Sequence, residues 1–235
     1  MFKRNLAVTV ILILFSFTAT GFAAADKYHW ELADTEDGCQ IFISEVRGKD
    51  YIAAKASCVI PARADVVGMV IRDIASYPEW MDGCKGSKML KVLDDEKDVF
   101  IFWVRQHVPV LADRDVVIKS KIDIDDKGRV LIYGNATKEI RYDADEDYVR
   151  MPSFSSLFTL QWIDQNHTQV TYMIDPDLGK GLPLGIANRT IQSTPYKTLK
   201  KMMKMVKNSK YTEGAKKSKY SEMVEVFATD TGKKN

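Results

Sequence analysis

Residues 168–207, TQVTYMIDPDLGKGLPLGIANRTIQSTPYKTLKKMMKMVK, decide the architecture. The first eight residues read as a strand, and Gly179-Lys180-Gly181-Leu182-Pro183 then breaks it. From about Leu184 to Lys207, Ile186, Ile191, Leu199, Met202, Met203 and Val206 supply the apolar face of a long helix. Upstream lie strand-like runs at about 86–93, 98–106, 114–124, 129–139, 147–150 and 157–163. They are separated by polar turns such as Asp94-Asp95-Glu96-Lys97 and Asp125-Asp126-Lys127-Gly128. Consecutive short strands with tight turns make an antiparallel meander, and one long amphipathic helix is its natural cover.

Further upstream, Pro61-Ala62-Arg63-Ala64-Asp65 opens a helix over 63–74, with Val66, Val67, Val70, Ile71 and Ile74 on its core face. Ser76-Tyr77-Pro78-Glu79 begins a second short helix ending near Met81, with Ser76 as N-cap and Glu79 three residues on. Strands at 39–46 and 51–60 flank the turn Arg47-Gly48-Lys49-Asp50. A tight hairpin there sets Cys39 opposite Cys58, on the same face as Ile41, Ile43, Ala54 and Ala56. That register allows a disulfide; two buried thiols acting as small apolar residues are the other reading. Residues 26–33 read as a short helix or extended lead-in carrying Trp30.

The chain of 235 residues begins with a positive start, Lys3 and Arg4, then an apolar stretch from Leu6 to Phe17 and the small run Ala23-Ala24-Ala25. This is the pattern of a signal peptide over residues 1–25, cleaved near Ala25, which implies a periplasmic or secreted product. Its removal leaves 32 Lys and Arg against 32 Asp and Glu. A neutral body argues against nucleic acid, which demands a dense basic face. Residues 26–208 read as one domain, and the Lys-rich stretch 209–235 as a flexible tail in which Met223–Phe227 could form a short helix.

No catalytic motif stands out. His29, His107 and His167 show no metal-ligand spacing, and there is no Gly-x-Ser-x-Gly elbow and no phosphate-cradling loop. Asp123, Asp125 and Asp126 lack the distal Glu of a calcium loop. The reading is therefore no enzyme, no metal and no cofactor.

A more specific signal lies in fragments taken in order. They are Asp73…Tyr77-Pro78-Glu79-Trp80, Pro109…Asp113-Arg114-Asp115, Val149-Arg150 and Asp175-Pro176…Gly181-Leu182-Pro183…Ala187-Asn188. Together they resemble the START (steroidogenic acute regulatory protein-related lipid transfer) domain, over roughly Trp30 to Asn208. The resemblance implies an α+β helix-grip fold: a curved antiparallel sheet wrapped around the long C-terminal helix, with an internal hydrophobic tunnel. It implies a monomeric protein that holds, and in several members transfers, one fatty acid, phospholipid or sterol-like molecule. It allows transient membrane contact. An enzyme on the same scaffold, a cyclase or hydrolase acting on an apolar substrate, is the alternative.

An apolar cavity with a few polar groups is what such a ligand needs. The candidate lining residues are Phe102, Val104, Leu131, Leu160, Met173, Ile191 and Tyr196, with Arg105 as a polar anchor. Ordinary core packing is the competing reading for each, and Arg105 could equally face solvent or a carboxylate. By the likeness, Val108, Val110 and Leu111 form a gate loop at the tunnel mouth, working with Gly179–Pro183. Arg114 with Asp115, and Arg150, read as a strand-end ion pair and a scaffold contact. Sterol-binding members tend to face an acid with a base inside the tunnel; Val104 and Ser120 stand at those positions here, which disfavours cholesterol-type recognition.

Overall fold

The structure is a computed structural model that describes residues 27–109, 111–142, 148–179, 181–221 and 224. The expected leader, Val110 of the gate loop and the Met223–Phe227 turn apart from Val224 lie outside the described residues.

Ten strands form one sheet: β1 (Glu31–Glu36), β2 (Cys39–Ser44), β3 (Ala53–Ile60), β4 (Cys84–Asp94), β5 (Val99–Gln106), β6 (Arg114–Ile124), β7 (Val130–Ala136), β8 (Val149–Arg150), β9 (Ser153–Asp164) and β10 (His167–Asp177). Their spatial order is β1-β2-β3-β10-β9-β7-β6-β5-β4, antiparallel throughout, with the two-residue β8 running parallel to β6. Helix α1 (Ala64–Arg72) and the short α2 (Tyr77–Trp80) lie between β3 and β4, and α3 (Leu184–Met205) and α4 (Ser209–Lys216) follow β10. Three register shifts along β4 bend that edge. α3 packs across β3, β10 and β2, burying Ile191, Leu199 and Met202. This is the helix-grip arrangement, a curved antiparallel sheet closed on the C-terminal helix.

The β2–β3 hairpin has the expected register, with Ile41 opposite Ala56 and Ile43 opposite Ala54. Cys39 and Cys58 are joined in a disulfide, and Cys84 is a free, buried thiol.

Four expectations are corrected or narrowed. The lead-in is extended rather than helical, and its end runs into strand β1, which Asp37 and Gly38, both at positive φ, turn into β2. Asp-Gly is the pair that a type I′ hairpin turn requires, and this was the available signal. All six β1 residues are exposed, so no alternation marked the strand. Second, Ser76 makes no N-cap bond; its hydroxyl bonds Asp73, and residues 74–76 form a 3-10 turn leading into α2. Third, Arg114 does not pair with Asp115, because neighbours on a strand point to opposite faces. Arg114 instead donates to the carbonyls of Ala112 and Leu178, while Asp115 takes a two-pronged bond from Arg150 and one from Trp103 Nε1.

Fourth, the stretch after Asn208 is not a loose tail over its described part. Asn208 caps α4, and α4 lies on α1 with Tyr211 and Ala215 buried. The Tyr211 hydroxyl reaches Asp73 at 2.9 Å and Ser76 at 3.2 Å. The sequence showed six Lys there and little apolar periodicity, whereas two or three well-placed side chains suffice to hold it.

Asp175, buried near the end of β10, gathers Lys27, Tyr28 and Lys49, with bonds of 2.6, 2.9 and 2.6 Å. Burial alone would raise its carboxyl; the three donors outweigh burial and leave it below the usual aspartate range. A depressed carboxyl adds stability that is complete above its unfolded value of about 4 and is lost as pH falls through the lower folded value. Asp175→Asn should therefore cost about 2 kcal/mol at neutral pH. In urea unfolding the gap to wild type should close as pH falls below about 4. A gap that stays constant with pH would show that the charge is not what stabilises.

Candidate functional site

Alternation along the strands sends one set of side chains inward against α1, α2 and α3. On β5 these are Phe102 and Val104, on β6 Val116, Ile118 and Ser120, on β9 Phe158 and Leu160, and on β10 Tyr172 and Ile174. They enclose a cavity of two lobes, each of about 80 Å³. The lobes share the walls Ile71, Tyr77, Ser120 and Ile132, which form a waist. Aromatic packing sets part of the wall: Tyr172 stacks on Phe158 at 4.0 Å, and Tyr77 meets Phe102 edge-on at 5.7 Å.

The second lobe ends at the β5–β6 loop and the first half of α3, where Val108, Met151, Leu178 and Ile191 close it. The loop is pinned by Asp113, which pairs with Arg105 at 3.0 Å and His107 at 2.9 Å. Val108 is buried and lines the second lobe, and Leu111 is half-buried against the core, so neither projects freely into solvent. Outside this end, Val149, Leu184 and Ile186 expose apolar side chains.

The first lobe ends between α1, the β4–β5 and β6–β7 turns and the C-terminal segment, whose Tyr220 and Val224 form part of its wall. Asp98, buried and held at φ 51°, collects Arg72 from α1 at 3.0 Å, Lys219 at 3.0 Å and the Tyr220 hydroxyl. Asp tolerates this backbone better than most residues. Burial first, and the Asp98 bond second, push the Tyr220 phenol well above its usual value, so it stays a donor. Truncation after Lys216 removes this seal and the buried Val224, and should lower stability by about 2 kcal/mol. It should also speed the entry of an apolar dye, read by stopped-flow fluorescence. Unchanged stability and unchanged entry would show that the segment seals nothing.

Of the residues singled out from sequence, Phe102, Val104, Leu160 and Ile191 face the cavity. Four do not. Arg105 lies on the outer face of β5 with Asp113 and Tyr148, one step out of phase with Val104. Leu131 and Met173 sit half-buried on the far face, while their neighbours Ile132, Tyr172 and Ile174 point in. Tyr196 is about 140° around α3 from Ile191, and its hydroxyl reaches Asp37 of the β1–β2 turn at 2.9 Å. Val104 and Ser120 both line the cavity. Among the described residues no cluster of His, Cys, Asp and Glu could hold a metal, and no helix is long and apolar enough to cross a membrane.

An uncharacterized Pseudomonas aeruginosa protein is 26% identical over 84% of this chain and 95% of its own length. A STAR-related lipid transfer protein fragment from Xanthomonas axonopodis superposes with a TM-score of 0.68 at 24% identity, covering 76% of this chain and 99% of that one. Human STARD10 gives 0.67 at 20% identity, covering 80% and 76%. Two backbones so alike at such low identity share the fold; the sequence itself carries the family. The START domain profile matches residues 22–212, taking in every strand, α3 and all of the cavity wall except Tyr220 and Val224, and the chain belongs to the START domain family.

Proposed function

We propose that this protein is an exported carrier that holds one hydrophobic molecule in the cavity between the sheet and α3, without changing it chemically. The observation that supports this best is the apolar wall of the two adjoining lobes, bounded at their ends by a loop, the start of α3 and the C-terminal segment rather than by sheet. Transferring an apolar chain from water into such a space is favourable by about 0.8 kcal/mol per CH₂. The β5–β6 loop with the start of α3 is the exchange end. Val149, Leu184 and Ile186 beside it give a membrane something apolar to touch.

The cavity is small. An engineered pocket of about 150 Å³ holds benzene, and each lobe offers about 80 Å³. A single-chain or compact ligand suits this closed form, and a two-chain lipid requires α3 or the loop to move outward.

The test is native mass spectrometry of mature protein purified from its own host, followed by organic extraction. One amphiphile per chain is the expected result. An empty protein that also takes up no fatty acid, phospholipid or sterol would overturn the carrier reading. N-terminal sequencing of the same sample checks export: a start near Asp26 is expected, and retention of Met1 would overturn it.

A further inference from the structure

The buried polar groups on the cavity wall separate into two kinds. Asp65, Asp98, Tyr77 and Thr194 are buried and already engaged. Asp65 holds Arg63 and Asp98 holds Arg72, while the Tyr77 and Thr194 hydroxyls donate to the carbonyls of Ile71 and Thr190. Ser120 and Tyr172 are equally buried, 8% and 3% exposed, and neither hydroxyl has a hydrogen-bond partner among the described residues. Both line the second lobe, and Ser120 stands at the waist between the lobes. The two hydroxyls open onto the second lobe rather than being sealed in packed core, and two polar atoms without a protein partner on one apolar wall offer a place for the polar group of a molecule that enters the cavity.

The charge on the wall narrows that group. The basic side chains lining the lobes are Arg72, already bound by Asp95 and Asp98, and His107 at the mouth, bonded to Asp113. Neither is free to meet an anion deep in the cavity. An unpaired carboxylate or phosphate there would bear a desolvation penalty that apolar contacts do not repay. A hydroxyl or carbonyl oxygen has no such penalty, and Ser and Tyr hydroxyls can each donate or accept. Burial also pushes the Tyr172 phenol well above its usual value, so it remains a neutral donor.

We propose that the cavity selects an uncharged amphiphile, with a hydroxyl or carbonyl oxygen bonded by Ser120 Oγ and the Tyr172 hydroxyl and an apolar body filling the lobes, and that it rejects anionic lipids of the same length. This rests on the reading of the cavity as the ligand site.

The experiment uses mature protein loaded with N-phenyl-1-naphthylamine, an uncharged fluorophore. 1-Octanol and octanoate compete for it at about pH 8, where the carboxyl is ionised. Octanol should displace the dye at least tenfold more effectively than octanoate. Ser120→Ala and Tyr172→Phe, each checked for an unchanged thermal midpoint, should each weaken octanol by about three- to tenfold once displacement is corrected for that variant's own affinity for the dye. Equal displacement by the two competitors, or variants that bind octanol like wild type, overturns the anchor while the carrier reading stands. Failure of the wild type to take up the dye overturns both.

Discussion

Ser120→Phe should abolish uptake of the apolar fluorophore, weakening it by tenfold or more, while the protein stays folded. Ser120 belongs to both lobes, so a ring attached there projects into the waist. A pocket of about 150 Å³ holds benzene, and each lobe provides about 80 Å³. The new ring consumes the space that a ligand would occupy. Overpacking of this kind costs about 1–3 kcal/mol, because neighbours such as Ile132 and Phe100 must shift. A fluorescence titration read beside circular dichroism and a thermal melt separates the two effects. Uptake that survives in a folded variant would place binding outside this cavity.

Replacing both cysteines of the bridge, Cys39→Ala with Cys58→Ala, should cost about 3 kcal/mol by the chain-entropy account. The two positions are 19 residues apart and lie opposite each other across β2 and β3. Alanine avoids burying two hydroxyls, and Ala54 and Ala56 already occupy the same face. The loss is read from the guanidinium midpoint of protein prepared without reductant. Alkylation of unfolded, unreduced wild type should modify one thiol, that of Cys84. Three modified thiols would show that the bridge is absent in solution.

Individual residues show where the sequence was readable. The β2–β3 register could be set because Gly48 marks the turn and one face repeats small and apolar residues, so a slip would expose Ile41 and Ile43. Phe102 and Val104 alternate against the outward Trp103 and Arg105, and this gave their side correctly. Leu131 beside Ile132, and Met173 beside Ile174, defeated the same rule. Each pair puts apolar side chains on both faces of a strand, so hydrophobicity alone does not choose one. Arg105 was singled out for its chemistry, although the phase of its own strand sends it outward to Asp113.

Ser120 and Tyr172 show the remaining limit. The sequence marked Ser120 only as a departure from sterol-binding relatives and passed over Tyr172. Their interest arises from lacking partners, and whether a hydroxyl is satisfied depends on what other strands and helices bring within about 3 Å of it. The closure of the first lobe has the same origin. Lys219 and Tyr220 reach Asp98 across more than a hundred residues of chain, and no local pattern encodes that.

The sequence by itself determined the order of the elements from β2 to α3, the β2–β3 register and the family. Those follow from periodicity, turn residues and short ordered motifs, which act over a few neighbouring positions. Only the tertiary structure decided which face of β7, β10 and α3 meets the cavity, how large that cavity is and what seals its ends. Those depend on packing between elements far apart in the chain, where a single step in phase turns a wall residue into a surface one.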